Sequence, residues 1–162
     1  MEKLAFGMTQ EGKEASLYIL ENKNHVKIKI TDHGATLVSI IVPDREGNMK
    51  DVVLGYDNVS EYEKNTGYFG ATVGRNGNRI EKAQIVIDGE VWKIPANEGE
   101  NSLHSGPKGF ERVLWEVKKY TDNSITFFHL STEEEQGFPG NLEVEVTYTL
   151  TEENAVEINY CG

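Results

Sequence analysis

The sequence predicts an all-β fold in which antiparallel strands pack as a β-sandwich. Apolar and polar residues alternate with a period of two over residues 142–150, which is typical of a strand with one face in solvent. An Asp-Gly pair at 88–89 separates two short β-rich segments, as in a two-residue hairpin. Strand-like segments of this kind recur roughly ten times, at the short spacing of a sandwich.

Three segments show the alternation most clearly. Residues 142–150 read LEVEVTYTL, residues 26–31 read VKIKIT, and residues 113–117 read VLWEV. Because successive side chains of a strand point to opposite sides, each segment is predicted to bury one side and to expose the other. Trp115, and Trp92 in the predicted hairpin, are therefore expected in the core.

Helical signals are confined to one short segment. Residues 59–64, VSEYEK, are predicted to form one or two helical turns, with Ser60 as the N-cap and Glu63 completing a capping box. Residues 97–109 contain three glycines and one proline without any periodicity, which predicts a long loop. Long loops inside a domain usually serve function, and a functional role is the interpretation favoured here.

The composition favours a neutral small-molecule ligand. The 162 residues fit one domain, and a net charge of -11 with a pI near 4.8 repels nucleic acid and anionic membranes. Cys161 is the one cysteine, which excludes an intramolecular disulfide and a thiolate zinc site. No signal peptide or membrane-spanning stretch is recognised, so a cytoplasmic protein is expected. The acidic run 133–135 is interpreted as a solvated loop rather than a metal site.

Three short segments stand out from this β-rich background. Residues 70–80 read GATVGRNGNRI, in which a Gly-Arg pair is followed two residues later by Asn-Arg-Ile. Residues 101–106 read NSLHSG, and residues 135–142 read EQGFPGNL. In their composition, order and separation these segments resemble the motifs of the aldose 1-epimerase (galactose mutarotase) family. Weaker likeness extends over nearly the whole chain.

The resemblance implies a fold, a reaction and a site. The fold is the large antiparallel β-sandwich of the galactose mutarotase type, with residues 1–162 as the amino-terminal part of one domain. The reaction interconverts the α and β anomers of an aldose such as galactose or glucose, by acid-base ring opening without metal or other cofactor. Asn78, Arg79 and His104 match sugar-binding positions. The family's catalytic histidine and glutamate lie beyond residue 162, so the chain is expected to be truncated and to lack both.

Two departures from the family pattern leave the preferred aldose open. Asn76-Gly77 stands where a bulkier residue and alanine are common, and Ser105 replaces the first glycine after the histidine. Arg79, taken by itself, is more typical of a surface ion-pair partner, whereas the motif around it favours sugar binding.

Other residues receive simpler interpretations. Phe138 is either a stacking platform for a sugar ring or a plug at the edge of the core. Arg75 is expected to brace its loop rather than to touch the sugar. His25, His33 and His129 are expected to be packing or surface residues.

Three functional hypotheses remain open. The chain is the front half of an aldose 1-epimerase, a module that binds a sugar or a partner without turnover, or a fragment with little function of its own. The strand pattern over residues 155–160 predicts an unpaired edge, and self-association through the carboxy-terminal strands is expected.

Overall fold

Two antiparallel sheets form the body of the molecule, which the computed structural model describes over residues 1–64, 67–133 and 135–162. The first sheet contains, in spatial order, β1 (Glu2–Met8), β2 (Glu14–Glu21), β3 (Lys27–Thr31), β4 (Thr36–Pro43) and β5 (Met49–Asp51). A helix, α1 (Val59–Lys64), follows, and two short antiparallel pairs lie outside both sheets: β6 (Arg79–Ile80) with β9 (Ser102–Leu103), and β7 (Gln84–Ile87) with β8 (Glu90–Lys93). The second sheet contains β10 (Glu116–Tyr120), β11 (Ser124–Ser131), β12 (Leu142–Leu150) and β13 (Val156–Cys161).

The main core lies between the two sheets. The strands β2, β3, β11 and β12 turn apolar side chains inward, and full burial of one large apolar side chain stabilises the fold by about 1.5–3 kcal/mol. The Tyr148 hydroxyl donates a hydrogen bond to the Ala35 carbonyl at 2.7 Å, which ties β12 to the turn before β4. The predicted antiparallel sandwich is therefore confirmed. The core side chains from the two sheets include Tyr18, Leu20, Ile28 and Ile30 on one side and Ile125, Phe127, Val146 and Leu150 on the other.

Most predicted strands are present, and one begins later than predicted. The segment 142–150 is β12, and the hairpin of β7 and β8 turns at Asp88 and Gly89, which both have positive φ. The predicted strand at 113–117 begins only at Glu116, because the preceding residues instead bond to the end of the first sheet.

The two tryptophans differ in burial. Trp115 is 3% exposed and donates from its indole N–H to the Phe110 carbonyl at 3.0 Å, so its predicted place in the core is confirmed. Trp92 is only half-buried, and its predicted core position is wrong. The reason is that β8 belongs to a two-stranded hairpin separate from the two main sheets.

The predicted helix forms at Val59–Lys64, but its cap is not the predicted one. Asn58, not Ser60, caps it, because Asn58 Oδ1 accepts the Glu61 N–H at 3.2 Å. The Ser60 hydroxyl donates to the same Asn58 oxygen at 2.7 Å. The Glu63 carboxylate accepts the Gln10 N–H at 2.9 Å, so it joins the helix to the first hairpin rather than closing a capping box.

A small apolar cluster outside the main core supports the short strands. Ile80, Ile94 and Phe138 are buried together, with Ile85 packed against them. Phe138 is 5% exposed, so of its two interpretations the structure supports the core plug. This apolar cluster therefore supports the pair of β6 and β9 separately from the main core.

The strand β13 forms an edge of the second sheet. Ile158 and Tyr160 on it are 40% and 59% exposed. Self-association through this edge stays a prediction, which sedimentation at several concentrations tests. In the described part of the chain, no helix has the length and apolar character needed to cross a membrane.

Candidate functional site

The pairing of β6 with β9 brings the three predicted site residues together. Arg79 lies opposite Leu103 in the strand register, which places Asn78 beside His104. The His104 N–H donates to the Asn78 carbonyl at 3.0 Å, and the Asn78 N–H donates to His104 Nδ1 at 3.0 Å. Asn78 and His104 both adopt left-handed backbone conformations, with φ of 67° and 51°. Such conformations are uncommon for non-glycine residues, although asparagine and histidine adopt them more readily than most.

The contact with Asn78 fixes the tautomer of His104. Nδ1 accepts a hydrogen bond, so in the neutral imidazole the proton lies on Nε2. Burial lowers the pKa of His104 below its ordinary value of 6.5, and the positive charge of Arg79 lowers it further. Tyr68 meets the imidazole edge-on, with ring centroids 4.6 Å apart. His104 is therefore held as a neutral ring whose Nε2–H is available as a donor.

Arg79 forms a two-point ion pair with Glu98. Nε donates to Glu98 Oε2 at 2.5 Å and Nη2 donates to Oε1 at 2.7 Å. The surface ion pair weighed as the alternative for Arg79 is thus present. Nη1 donates a longer hydrogen bond to Asn78 Oδ1 at 3.4 Å. A guanidinium has five N–H groups, so two remain without a partner among the described residues. The remaining donors belong to a guanidinium that is more than half exposed and whose charge acts on His104.

Glu98 was not recognised in the sequence. It begins a tight turn in which the Asn101 N–H donates to the Glu98 carbonyl at 3.0 Å, and Gly99 supplies the positive φ that the turn requires. Next to the turn, Asn97 exchanges two hydrogen bonds with the Leu103 backbone, at 2.6 and 2.9 Å. The string Glu-Gly-Glu-Asn indicates such a turn, but nothing local indicates that Glu98 reaches Arg79.

Arg75 braces the loop, as predicted. Its guanidinium donates five hydrogen bonds of 2.8–3.0 Å, four of them to main-chain carbonyls. Because all of these partners lie in the segment 131–140, Arg75 joins the first motif to the third. The acceptors belong to Ser131, Thr132, Pro139 and Gly140.

The two departures from the family motifs lie in contact with each other. The Ser105 hydroxyl accepts the Asn76 N–H at 2.6 Å and donates to the Asn76 carbonyl at 3.1 Å. A glycine at position 105 has no hydroxyl and makes neither bond. Ser105 therefore links the first and second motifs by two hydrogen bonds, just before Asn78.

The other three histidines make different contacts from His104. His33 is 2% exposed, and burial lowers its pKa. His25 pairs at the surface with Glu21 at 2.8 Å, and His129 pairs with Glu135 at 3.1 Å. Their predicted packing and surface roles agree with these positions.

The described residues of the acidic run, Glu133 and Glu135, form no metal-binding arrangement. Glu133 bonds through its N–H to Asn141, Glu135 faces His129, and Glu134 lies outside the described residues. Within residues 1–64, 67–133 and 135–162, no group of three His, Cys, Asp or Glu side chains is placed to hold a metal ion.

The antiparallel sandwich and its paired motif loops define a fold of the galactose mutarotase type. An aldose epimerase homologue from C. elegans has a TM-score of 0.87 and 34% identity, over 90% of this chain and 45% of that chain. Galactose 1-epimerase from Lactobacillus acidophilus has a TM-score of 0.82 over 98% of this chain and 47% of that chain, and its 23% identity shows likeness of fold.

Sequence comparison then gives the family. The profile described as Aldose 1-epimerase matches residues 16–162. Aldose 1-epimerase of Haemophilus influenzae is 40% identical over 152 residues, which cover 94% of this chain and 44% of the relative. Galactose mutarotase of Sus scrofa is 43% identical over 127 residues, which cover 78% of this chain and 37% of the relative. The chain belongs to the aldose 1-epimerase family and spans less than half the length of these relatives.

Proposed function

We propose that residues 1–162 are the amino-terminal part of one sandwich domain and bind an aldose at Asn78, Arg79 and His104, in an enzyme that interconverts α and β anomers. The observation that carries this proposal is the hydrogen bond from the Asn78 N–H to His104 Nδ1 at 3.0 Å. It aims the Nε2–H of a neutral imidazole in a fixed direction. Directional donors of this kind suit the hydroxyls and ring oxygen of a neutral sugar.

The same geometry argues that these residues position the sugar rather than transfer its protons. Mutarotation needs one group to take the proton from the C1 hydroxyl and another to protonate the ring oxygen. The hydrogen bond from Arg79 lowers the pKa of Glu98, which makes that carboxylate a weak base. His104 is held neutral, and a neutral imidazole N–H is a poor acid. We therefore propose that the acid and the base are groups other than Glu98 and His104, as the family resemblance implies.

Galactose is expected to bind weakly at this cluster. In amide NMR spectra of the 162-residue chain, added galactose should perturb signals from residues 74–80 and 101–106, because those segments carry the donors. Perturbation confined to other segments would contradict the proposal. Mannitol, an acyclic polyol without a ring oxygen, is the matched control for non-specific effects.

The pH dependence of this binding follows from His104. Its folded-state pKa lies below the ordinary value of 6.5, so the fold favours the neutral form. The contact with Asn78 is then present above pH 6.5 and is lost as the pH falls through the lowered pKa. Galactose binding should weaken over the same interval in which the His104 ring signals titrate. Binding that is unchanged after His104 is protonated would contradict the assigned tautomer.

The isolated chain is expected to leave the rate of mutarotation at the buffer value. Polarimetry of freshly dissolved α-galactose measures this directly, and the reason is that water must make the main proton transfers. A rate that rises with protein concentration and disappears in His104→Ala would show that these residues include a catalyst. Binding without turnover is also what the second hypothesis, a carbohydrate-binding module, expects of this chain.

A further inference from the structure

Glu98, the ion-pair partner of Arg79, affects two properties of the proposed site: the geometry of its hydrogen-bond donors and its net charge. An unpaired arginine at the surface samples many rotamers, and ordering such a side chain on binding costs about 0.5–1.5 kcal/mol. The Arg79 side chain is 57% exposed, and its restraints among the described residues are the ion pair with Glu98 and one longer hydrogen bond to Asn78 Oδ1. The Glu98 carboxylate accepts hydrogen bonds from both Nε and Nη2 of Arg79, which fixes the plane of the guanidinium before any ligand binds.

Glu98 is itself held in place. Its backbone lies in the turn closed by the Asn101 N–H, and its own N–H donates to the Asn101 carbonyl at 3.1 Å. The Asn101 side chain is anchored in turn, because Oδ1 accepts the Lys82 N–H at 3.1 Å. The backbone hydrogen bonds of this turn therefore hold the Glu98 carboxylate in a defined position.

Charge is the second consequence of the pair. The Glu98 carboxylate cancels the formal charge of Arg79, so the remaining N–H donors face the ligand from a group with no net charge. The whole chain adds a formal charge of -11. A phosphorylated sugar brings about -1.5 to -2 charges at neutral pH and would meet this carboxylate at close range.

We propose that Glu98 is the positioning residue for Arg79 and that it makes the site select neutral aldoses over sugar phosphates. This inference rests on the sugar binding proposed above. Glu98 acts through Arg79, by directing its unpaired donors toward the ligand and by cancelling its charge. Neither effect requires Glu98 to contact the sugar.

The test compares galactose with galactose 6-phosphate as NMR titrants of the full 162-residue chain. Wild type should bind galactose more tightly than galactose 6-phosphate. Glu98→Gln should weaken galactose binding about three- to tenfold, which corresponds to the ordering cost of one long side chain, and should tighten binding of the phosphate. Opposite changes for the two ligands would not arise from simple damage to the loop.

Two further variants complete the design. Glu100→Gln makes the same change of charge on the same turn at an exposed position, and should leave both affinities as in wild type. Glu98→Asp keeps the charge but is one methylene too short for the two-point grip, so it should weaken galactose binding while still disfavouring the phosphate.

Each outcome has a distinct meaning. If wild type binds neither ligand near residues 74–80 and 101–106, the proposed function fails, and this inference fails with it. If wild type binds galactose and Glu98→Gln keeps the same affinities for both ligands, only the inference is overturned. Equal effects of Glu98→Gln and Glu100→Gln would also overturn it, because they would reflect net charge alone.

Discussion

Replacing Arg75 with alanine is expected to destabilise the chain by about 3 kcal/mol or more, because it leaves several main-chain carbonyls without their donor. The guanidinium donates to carbonyls at Ser131, Thr132, Pro139 and Gly140 and also to the Ser131 hydroxyl. For a domain of this size the loss lowers Tm by roughly 6–12 °C. Thermal unfolding followed by circular dichroism measures it.

Arg45→Ala is the matched control for Arg75→Ala. The Arg45 side chain is 91% exposed and pairs only with its neighbour Glu46 among the contacts described, so its removal should change Tm by little. Arg75→Lys should recover only a small part of the loss, since one ammonium cannot reach acceptors spread over 131–140. Equal stability of Arg75→Ala and Arg45→Ala would show that the loop does not depend on this brace.

Two substitutions of His104 are expected to separate its two hydrogen-bonding roles. His104→Asn retains an acceptor where Nδ1 lies, and asparagine tolerates the left-handed φ of 51°. It should keep the contact to the Asn78 N–H but weaken galactose binding about tenfold, because the Nε2–H is gone. His104→Gln places an amide N–H near the former Nε2 but has no acceptor at the Nδ1 position, so it should loosen the loop.

The two His104 variants are distinguished by NMR without ligand. Amide signals near Asn78 should resemble wild type in His104→Asn and shift in His104→Gln. Unchanged galactose affinity in His104→Asn would show that the imidazole is not the donor, and would remove the main support for the proposed site. Loss of folding in His104→Asn would instead show that the ring is needed for packing against Tyr68.

Structural features that depend on residues close together along the chain were predictable from the sequence. The strand at 142–150 follows from a period of two, and the hairpin at 88–89 follows from residues that accept positive φ. The helix was also predicted, but its predicted cap, Ser60, was wrong, because Asn58 Oδ1 accepts the Glu61 N–H. Local pattern therefore predicts an element more reliably than the side chain that ends it.

The candidate site was predicted in part, for a different reason. Asn78, Arg79 and His104 were found through motifs, and the register of β6 and β9 explains why the motifs meet. Glu98 was missed because its partner lies nineteen residues away and is reached only through that register. Trp92 was misplaced since periodicity shows which side of a strand is apolar, not whether a second sheet covers it.

The apolar cluster that supports β6 and β9 apart from the main core affects which part of the molecule unfolds first. Because Ile80, Ile94 and Phe138 pack apart from the main core, the loops on this support form a unit that can unfold locally while the sandwich stays closed. We therefore expect amide protons there to exchange with solvent at a rate set by the small cluster, not by global unfolding. Substitutions at the proposed site are therefore expected to change ligand preference with little effect on the stability of the sandwich.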